Sequence, residues 1–598
     1  MSQIPERLRA LRALTAEYGI DDLIVLSVDE HLNEYLPLHG ARREFMSGFT
    51  GSAGDMLIGR ADAWIYTDGR YHMQAALELE GSGIDLMKVG APGSRPMLAD
   101  LELRLKSGGV KSVGVDPMSV PFAFAEALRE RLDRYGAKLV ETPFNLVDRV
   151  WKQRPQPAPT KLMAMPLEWS GASVDAKAAQ IRSDLAALGA DAIAVVKLDQ
   201  VAWLFNLRGK GDIPYNPVFE ASAYLDGKAL HLFIRSGKER LPANFDAGSG
   251  GFVLHSYEEF PAFLRTVTGR VAVDPSGVTL GVVSALQAGG AHVVHCLSPI
   301  EVRKAHKNPA EQEAQKRANL RASAAKTRAL LWLRREIDEK RTVTEDSFRK
   351  HIEARYAEQE GFHDLSFNTI AATGAHGAII HYGACDETPL KSGDLFIIDS
   401  GAHIAGGTTD DTRTVAVGRC DQERRRVYTL VLKGHIQAAR QVFPENIPGT
   451  ALDALARAPL WNQGLNYDHG TGHGVGAFLN VHEGPFALSE RERKPYATTP
   501  LKAGMCTSIE PGYYREGFGG VRLENLYLLA EHHKDEAGRQ WLCCEPITWV
   551  PFDPDLIEDS LLEPAEIEWL DQYHRTCIEK LSPLLPETER YELRALVR

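Results

Sequence analysis

The chain has 598 residues, 44% of them hydrophobic and 25% charged, and a formal net charge of -12 at pH 7. This composition is ordinary for a soluble globular protein, and a length of this size predicts three or four domains of roughly 100–200 residues. The negative charge and the absence of a Lys/Arg stripe argue against a nucleic-acid surface. No apolar run approaches the roughly 18 residues that a membrane-spanning helix needs, so neither nucleic acid nor membrane is an expected partner.

The N-terminal segment predicts an amphipathic helix rather than a targeting signal. It lacks the uninterrupted apolar region of a secretory signal, and Glu6 and Glu17 among its arginines disfavour a transit peptide. The seven cysteines are scattered without a C-x-x-C pair, which favours a reduced, cytoplasmic protein. The adjacent Cys543 and Cys544 could form a redox pair, but we expect a strand, WLCCEPITWV, that turns the two side chains to opposite faces.

An internal repeat is the first sign of domain organisation. The segment YGIDDLIVLSVDE begins at Tyr18 and LGADAIAVVKLDQ begins at Leu188, an offset of 170 residues. In each copy an amphipathic helix, roughly residues 5–18 or 174–188, leads into a short apolar strand that is expected to end at Asp29 or Asp199. The repeat therefore predicts an α/β architecture with two related N-terminal domains.

Two segments predict the domain boundaries. The proline-rich stretch WKQRPQPAPTK, residues 151–161, favours an extended connection. A long helix is predicted to begin at Asn308-Pro309-Ala310 and to run to about Glu336. We expect domains at residues 1–155, 156–305 and 306–598.

A hairpin is predicted around the first pair of candidate metal ligands, Asp399 and Asp410. The segment GDLFIIDSGAHIAGGTTDDTRTVAV consists of two strand-like runs around a glycine-rich centre. The two aspartates are symmetric about Ile404–Ala405, so they are expected to face each other across the strands with Cβ atoms roughly 4.5–5.5 Å apart. His403, in the turn, is expected to be exposed.

A second hairpin is predicted around Glu510 and Glu524. Glu510 ends the strand-like CTSIE, and Glu524 lies in GVRLENLYLL. The turn Glu-Gly-Phe-Gly-Gly at 516–520 contains Gly517, the midpoint of the two glutamates.

His473 adds an imidazole from the loop HGTGHGVG, whose glycines allow a close backbone approach. Four carboxylates and an imidazole cannot be buried together without cations, and two divalent metal ions would offset the repulsion and generate a hydroxide nucleophile. This donor set suits Mn²⁺, although Zn²⁺ or Co²⁺ could also bind. The alternatives are turn-bonding aspartates and a dinucleotide-binding loop, whose third glycine is misplaced here.

The sequence motifs around these five residues, and their order in the chain, resemble those of the pita-bread metallopeptidases, a family that includes methionine aminopeptidase, prolidase and aminopeptidase P. The greatest similarity is to the cytosolic, three-domain Xaa-Pro aminopeptidases. Beyond the ligand motifs, the resemblance rests on RREFMSGFTGSAG (42–54), WIYTDGRYHMQAA (64–76), LDQVAWLFNLRG (198–209), NPVF (216–219), FNTIAATGAHGAIIHY (367–382) and WLDQYHRTCIEKLSPLL (569–585). It implies two creatinase-like (RNase H-like) α/β domains followed by a pita-bread α+β catalytic domain.

The resemblance also implies an activity, which is removal of an N-terminal residue that precedes proline, and a homodimer. By similarity, Asp399 would bind one metal, His473 and Glu510 the other, and Asp410 and Glu524 would bridge them. The implied nucleophile is a metal-bridging hydroxide, with Glu510 as general base.

Three further histidines match positions that line the family's active site. His381 and His482 would stabilise the tetrahedral gem-diolate or shuttle protons, and His469 would contact the substrate near the proline. The segment Gly383-Ala384-Cys385 departs from the family, in which a proline often occurs there, and it lies beside the expected substrate site.

Two other functions stay open at this point. A prolidase would accept only dipeptides that end in proline. A metal-free relative that serves as a binding module would be expected to lose ligand carboxylates, and this sequence retains all four.

Overall fold

The computed structural model describes residues 3–248, 250–490 and 495–597, and these form two compact units. The first unit contains the described residues up to Ala164 together with Ala172–Pro214 and Val218–Ile300. The second contains Met165–Gly171, Tyr215–Pro217 and the described residues from Glu301 onward.

The N-terminal part of the first unit is a mixed sheet flanked by helices. Its strand order is β4-β3-β2-β1-β5-β6. The strands are β1 (Asp22–Val25), β2 (Asp55–Ile58), β3 (Ala63–Thr67), β4 (Asp85–Lys88), β5 (Ser112–Val115) and β6 (Lys138–Glu141). The helices are α1 (Ile4–Glu17), α2 (Arg42–Ser47), α3 (His72–Glu78), α4 (Met97–Lys106), α5 (Phe122–Arg134) and α6 (Leu146–Val150).

The next part of the chain contains a second mixed sheet, of order β12-β11-β10-β8-β13-β14. The strands of this region are β7 (Met163–Ala164), β8 (Ala192–Val195), β9 (Leu207–Arg208), β10 (Ala221–Asp226), β11 (Leu230–Ile234), β12 (Phe252–Ser256), β13 (Gly269–Val273) and β14 (Ala291–His295). The helices are α7 (Leu167–Ser170), α8 (Val174–Ala187), α9 (Leu198–Leu204), α10 (Phe260–Leu264), α11 (Leu280–Ala288) and α12 (Pro299–Ala305).

The predicted repeat is confirmed by these two sheets. Helix α8 and strand β8 lie 170 residues after α1 and β1 at both of their ends. The pairing is also the same, because the central strand has an antiparallel neighbour, β2 or β10, on one side and a parallel neighbour, β5 or β13, on the other. The predicted strand ends were wrong, however: β1 and β8 end four residues before Asp29 and Asp199, and Asp199 lies in α9.

The second unit is built on a long helix, which the sequence predicted closely. Asn308 caps it by accepting hydrogen bonds from the backbone N–H groups of Ala310 and Glu311, and it extends over 30 residues. The helices of this unit after α12 are α13 (Pro309–Asp338), α14 (Glu345–Ala357), α15 (Gln422–Ala439), α16 (Thr450–Trp461), α17 (Pro564–Leu581) and α18 (Glu587–Leu596).

The strands of the second unit form several small sheets, of orders β15-β18-β19, β16-β17-β20, β21-β28-β27-β24-β22-β23 and β25-β26. They are β15 (Phe362–Leu365), β16 (Ile370–Thr373), β17 (Leu395–Ser400), β18 (Ala402–Ile404), β19 (Gly407–Thr408), β20 (Asp411–Ala416), β21 (Val442–Pro444), β22 (Gly472–Gly474), β23 (Glu483–Leu488), β24 (Cys506–Ile509), β25 (Gly512–Arg515), β26 (Gly519–Arg522), β27 (Asn525–Lys534) and β28 (Gln540–Pro546).

Small residues on α13 allow these strands to approach the helix closely. A stripe of buried alanines packs with α14 and β17 in one apolar cluster. A Cβ added at Gly407 of β19 would lie 2.5 Å from the Cβ of Ala318. This side of the helix therefore supports the hairpin that carries Asp399 and Asp410.

The predicted first hairpin is present, but its register was wrong. Asp399 pairs with Thr412, and Ser400 pairs with Asp411, so Asp399 and Asp410 are not cross-strand partners. The turn is centred on Ala405 and Gly406, whose φ angles are +44° and +90°. Such a two-residue turn needs positive φ at both central positions, which an alanine rarely adopts. Ala405 therefore gave no sequence signal that the turn is centred on residues 405 and 406.

The second hairpin has the predicted register. Ile509 pairs with Asn525 on one side of the two glutamates, and Gly512 pairs with Arg522 on the other. Both ladders place Glu510 opposite Glu524.

Two further expectations about single residues are settled by the fold. His403 is fully buried rather than exposed, because Nε2 lies 2.7 Å from the carbonyl oxygen of Tyr215 and Nδ1 lies 3.1 Å from Oγ1 of Thr408. Cys543 and Cys544 lie in β28 with different exposure, as predicted. All seven cysteines lie in the described residues and are free thiols.

No helix within the described ranges combines the length and the apolar character required to cross a lipid bilayer.

Candidate metal centre

The structure brings the five predicted metal ligands together in the second unit. In three overlapping triads, ligand atoms lie within 4.8 Å of one another. The triads are Asp399/Asp410/Glu524, His473/Glu510/Glu524 and Asp410/His473/His482. Asp410, His473 and Glu524 each belong to two of these triads, so they lie at the centre of the cluster.

Backbone hydrogen bonds between the hairpins fix this cluster. The N–H of Glu524 donates to the carbonyl of Thr412 at 3.1 Å, and the N–H of Glu510 donates to the carbonyl of Thr471 at 2.6 Å. The first bond joins the two carboxylate hairpins, and the second joins Glu510 to the segment before His473. His473 lies in the short strand β22 and not in a loop, which corrects the sequence prediction.

His473 directs one ring nitrogen at two carboxylates. Its Nδ1 lies 3.0 Å from the carbonyl oxygen of Gly474, and a carbonyl only accepts, so Nδ1 carries a proton. Nε2 lies 3.5 Å from Oδ2 of Asp410 and 3.5 Å from Oε1 of Glu510. In the tautomer with its proton on Nδ1, Nε2 has a lone pair that can coordinate a metal ion together with the two carboxylates.

Two carboxylate oxygens in the cluster lack a hydrogen-bond partner. They are Oδ1 of Asp399 and Oε1 of Glu524. The other oxygen of each group is satisfied: Arg522 Nη2 donates to Oδ2 of Asp399 at 2.7 Å, and Thr412 Oγ1 donates to Oε2 of Glu524 at 2.8 Å. Buried oxygens are almost always paired, so these two are free to coordinate a metal.

The carboxylates raise one another's pKa. Burial, followed by the negative charge of Glu524, raises the pKa of Glu510 to about 8. Burial, followed by Asp399 and Glu510, raises the pKa of Asp410 well above its ordinary value. The pKa of Glu524 is raised in the same way by burial and by Asp410. Cations would reverse these shifts, because they stabilise the ionised forms.

The residues fit divalent metal ions. Oxygen donors from four carboxylates and one imidazole nitrogen form a donor set that Mn²⁺, Zn²⁺ or Co²⁺ can occupy, and thiolates take no part in it. The two oxygens of Asp399 and Glu524 that lack a hydrogen-bond partner and Nε2 of His473 all belong to this one cluster.

His469 lies beside the cluster in a chain of hydrogen bonds. Its Nδ1 donates to the carbonyl of Gly470 at 2.7 Å, and its Nε2 accepts from the hydroxyl of Tyr514 at 3.0 Å. Arg522 Nη1 donates to the same hydroxyl at 2.8 Å. Burial, followed by the charge of Arg522, lowers the pKa of His469 well below its ordinary value, so the ring is neutral and both of its nitrogens are engaged.

The remaining predicted histidines are His482 and His381. The ring of His482 is 4.5 Å from that of His473 and perpendicular to it. His381 is half-buried and follows Ile380, whose carbonyl accepts a hydrogen bond from Arg522 at 3.2 Å.

The unusual segment after His381 is held by its own contacts. Asn368 Nδ2 donates to the carbonyl of Gly383 at 2.9 Å, and a Cβ at Gly383 would lie 2.7 Å from that nitrogen. The thiol of Cys385 is buried and lies 3.3 Å from the carbonyl oxygen of Thr369.

Arg522, Tyr514, Thr412 and Ser508 are site residues that the sequence analysis missed. Three of them lie two positions from a candidate ligand: Arg522 from Glu524, Thr412 from Asp410 and Ser508 from Glu510. Alternate residues of a strand face the same side, so this spacing was the available signal. Ser508 Oγ lies 3.4 Å from Oε1 of Glu510 and accepts the N–H of His473 at 3.0 Å.

Comparison with known families accounts for most of the chain. The profile of metallopeptidase family M24 matches residues 313–531, and that of its C-terminal region matches residues 540–595. Two creatinase/prolidase N-terminal domain profiles match residues 7–148 and 153–311. The two N-terminal matches correspond to the two copies of the repeat.

Individual relatives are similar over almost the whole chain. "Probable Xaa-Pro aminopeptidase P" of Talaromyces stipitatus is 38% identical over 98% of this chain and 90% of its own. "Aminopeptidase P2" of Arabidopsis thaliana is 36% identical over 97% of this chain and 86% of its own.

Among solved structures, the X-prolyl aminopeptidase of Caenorhabditis elegans, described as a cytosolic enzyme with a di-nuclear active site, superposes with a TM-score of 0.93. It is 32% identical, and the match covers 100% of both chains. The pita-bread fold of the catalytic region and the creatinase-like fold of the preceding domains are thereby confirmed. The chain belongs to metallopeptidase family M24.

Proposed function

We propose that this chain is a two-metal exopeptidase that hydrolyses the bond between an N-terminal residue and a following proline. The observation that carries the proposal is the geometry of His473, whose Nε2 faces Asp410 and Glu510 at 3.5 Å. The relatives named above act on Xaa-Pro or X-prolyl substrates according to their names, and they are similar to this chain over nearly its full length.

Five residues would hold the two metal ions. Asp399 would bind one ion, His473 and Glu510 the other, and Asp410 and Glu524 would contact both. When bound, divalent ions supply Lewis acidity and lower the pKa of water. We propose manganese as the resident metal, with zinc and cobalt as alternatives.

One neighbouring side chain orients a candidate ligand. Arg522 donates to Asp399 and to Tyr514, so it holds the Asp399 carboxylate in a fixed orientation. Glu510 is a candidate general base, because its carboxylate belongs to the cluster and would lie within reach of a water molecule bound there.

His381 and His482 are the proposed proton carriers and stabilisers of the tetrahedral centre. An imidazole ring can donate a proton from one nitrogen and accept one at the other. His482 lies perpendicular to His473 and near Asp410, which supports a role for it at the centre.

His469 would pack against the proline rather than exchange protons with it. Both of its nitrogens are used within the protein, so a substrate meets the neutral ring. The bond before a proline is a tertiary amide without an N–H, and an apolar ring surface suits that substrate better than a hydrogen-bond acceptor would.

The domain boundaries, oligomer and location are also proposals. We propose domains at residues 1–155, 156–305 and 306–598, with the extended segment 151–161 as the first connection. Limited proteolysis should cut this connection first if the boundary is correct. We propose a cytoplasmic homodimer; the similar C. elegans enzyme is cytosolic, and analytical ultracentrifugation tests the dimer.

The decisive experiment compares Arg-Pro-Pro with Ala-Pro as substrates. The metal-free protein is titrated with Mn²⁺, Zn²⁺ and Co²⁺, and release of the N-terminal residue is measured for each. We expect turnover of the tripeptide to appear with about two equivalents of metal. Turnover of the dipeptide alone would identify a prolidase. If neither peptide is cleaved with any of the three metals, and calorimetry detects no Mn²⁺ binding, a binding module would be favoured.

A further inference from the structure

A cluster of buried charged side chains includes Glu483, the residue that follows His482 in the chain. It consists of Lys304, Lys307 and Glu483, whose side chains have no exposed surface, and Glu301, whose side chain is 5% exposed. Two positive and two negative charges are thus enclosed together in the second unit. None of them is among the proposed metal ligands.

Both oxygens of Glu483 are held by lysines. Lys304 Nζ lies 2.6 Å from Oε1 of Glu483, and Lys307 Nζ donates to Oε2. Lys304 Nζ also lies 3.9 Å from Oε2 of Glu301. A carboxylate held on both oxygens has little freedom to rotate, so the backbone of Glu483 is fixed in turn.

Glu483 connects this cluster to the candidate metal centre in two ways, through its peptide bond to His482 and through backbone pairing with β22. It follows His482 in the chain, and it pairs with Gly474 across β22 and β23. A Cβ at Gly474 would lie 2.4 Å from the carbonyl oxygen of Glu483, so the two backbones are in close contact. The carbonyl of Gly474 is the group that accepts the Nδ1–H of His473.

The lysines are themselves anchored. The N–H of Lys307 donates to the carbonyl of Gly504 at 2.9 Å, and Gln312 Nε2 donates to the carbonyl of Lys307 at 2.7 Å. Gly504 lies just before β24, the strand that leads to Glu510. Glu301 packs against Gly484, where an added Cβ would lie 2.7 Å from Oε1 of the glutamate.

We propose that Lys304 and Lys307 are positioning residues for His482, acting through the carboxylate of Glu483. They hold the residue after His482 at a fixed distance from the strand that carries His473. The inference rests on the proposed function, because it concerns the placement of an active-site histidine. A displacement of about 1 Å at such a group is enough to lower a catalytic rate markedly.

A buried ion pair adds little net stability compared with well-packed apolar side chains. The geometric restraint is therefore the effect to measure. Removing one lysine alone would change the net charge of the cluster, so the double variant Glu301→Gln/Lys304→Met, which removes one negative and one positive charge, is preferred.

The control is Lys433→Met. Lys433 belongs to the same unit and pairs with the fully buried carboxylate of Glu566 at 2.8 Å, on α15 and α17. We expect the control to retain the wild-type kcat on Arg-Pro-Pro. The Glu301→Gln/Lys304→Met variant should bind the same number of Mn²⁺ ions and keep KM within about twofold, while kcat falls about tenfold.

A double-mutant cycle with His482→Ala tests whether the effect passes through that histidine. The loss caused by Glu301→Gln/Lys304→Met should shrink to less than about twofold in the His482→Ala background. An unchanged kcat in the folded variant, or a tenfold loss that persists without His482, overturns the proposal.

Failure of the positioning role can be distinguished from failure of the proposed peptidase function. If the wild-type protein does not cleave Arg-Pro-Pro, the proposed function is wrong, and crystal structures of wild type and variant decide the positioning role. A shift of the His482 ring in the variant supports it, and an unmoved ring contradicts it.

Discussion

Arg522 Nη2 donates a hydrogen bond to Oδ2 of Asp399 at 2.7 Å, while Oδ1 of the same carboxylate has no hydrogen-bond partner. The arginine is buried and also contacts Tyr514, Thr412 and the carbonyl of Ile380. It therefore orients a candidate metal ligand, Asp399, and the hydroxyl beside His469 at once.

Arg522→Gln should weaken metal binding. Loss of a group that orients a metal ligand typically costs about 10–100-fold in affinity, so the variant should need that much more Mn²⁺ for half-maximal activity. Arg515→Gln is the matched control, because Arg515 lies in the same hairpin and pairs with the exposed Glu423. Equal Mn²⁺ requirements in the two variants would contradict the role of Arg522.

Asp410→Ala should abolish turnover and leave the fold intact. Asp410 belongs to two of the ligand triads, and its removal should lower kcat/KM by more than about 100-fold. Its negative charge is repelled by Asp399 and Glu510, so the melting temperature of the metal-free variant should equal or exceed that of the wild type. Asp535→Ala, in a turn outside the site, controls for loss of a carboxylate; wild-type rates in Asp410→Ala would refute the assignment.

Metal binding should release protons at pH 7. The pKa of Glu510 is raised from 4.5 to about 8 in the metal-free protein, so its carboxyl is largely protonated at pH 7, yet a metal binds the ionised form. Affinity should therefore rise with pH up to about 8. Calorimetry in two buffers of different ionisation enthalpy measures the protons released, and no difference between the buffers would rule this out.

The same shift makes the metal-free protein less stable at high pH. The Glu510 carboxyl has a higher pKa in the folded than in the unfolded protein, so it binds a proton more tightly when folded. Its contribution to the free energy of unfolding is therefore greatest below the unfolded-state pKa of 4.5, and it is lost as the pH rises towards the folded-state pKa of about 8. The melting temperature without metal should decrease over this range, and Glu510→Gln should reduce the decrease. Saturating Mn²⁺ should remove it.

His469→Ala should affect substrate binding more than metal binding. The neutral ring uses both nitrogens within the protein, so its proposed contact with substrate is apolar. Loss of that contact should raise KM for Arg-Pro-Pro about tenfold, in line with the 1–3 kcal/mol typical of a hydrophobic pocket contact. Mn²⁺ stoichiometry should not change; an effect confined to kcat would point to proton transfer instead.

The repeat and the second hairpin could be predicted because their signals are local. The offset of 170 residues between Tyr18 and Leu188 predicted where the second helix and strand lie relative to the first pair. Gly517 marked the turn between Glu510 and Glu524. In both cases apolar runs are separated by residues that favour turns.

The errors arose where a distant residue or an unusual backbone angle decided the result. Ala405 adopts a positive φ, which shifts the first hairpin by one pair. His403 is buried because Tyr215, 188 residues away in the sequence, supplies the carbonyl near its ring. Arg522 was missed because its partners, Asp399 and Tyr514, lie on other strands.

The pairing of Glu510 with Glu524 has a consequence for how the metal centre tolerates change in length. Both flanking ladders share one register, and the chain turns at Gly517, where an added Cβ would meet no atom within 4 Å. Removing one residue from that turn would move Glu524 to the opposite face of its strand, whereas inserting two could be absorbed as a longer loop. The relative position of Glu510 and Glu524, two candidate metal ligands, thus depends on the number of residues between them, and we expect a shortened turn to disrupt the candidate metal centre.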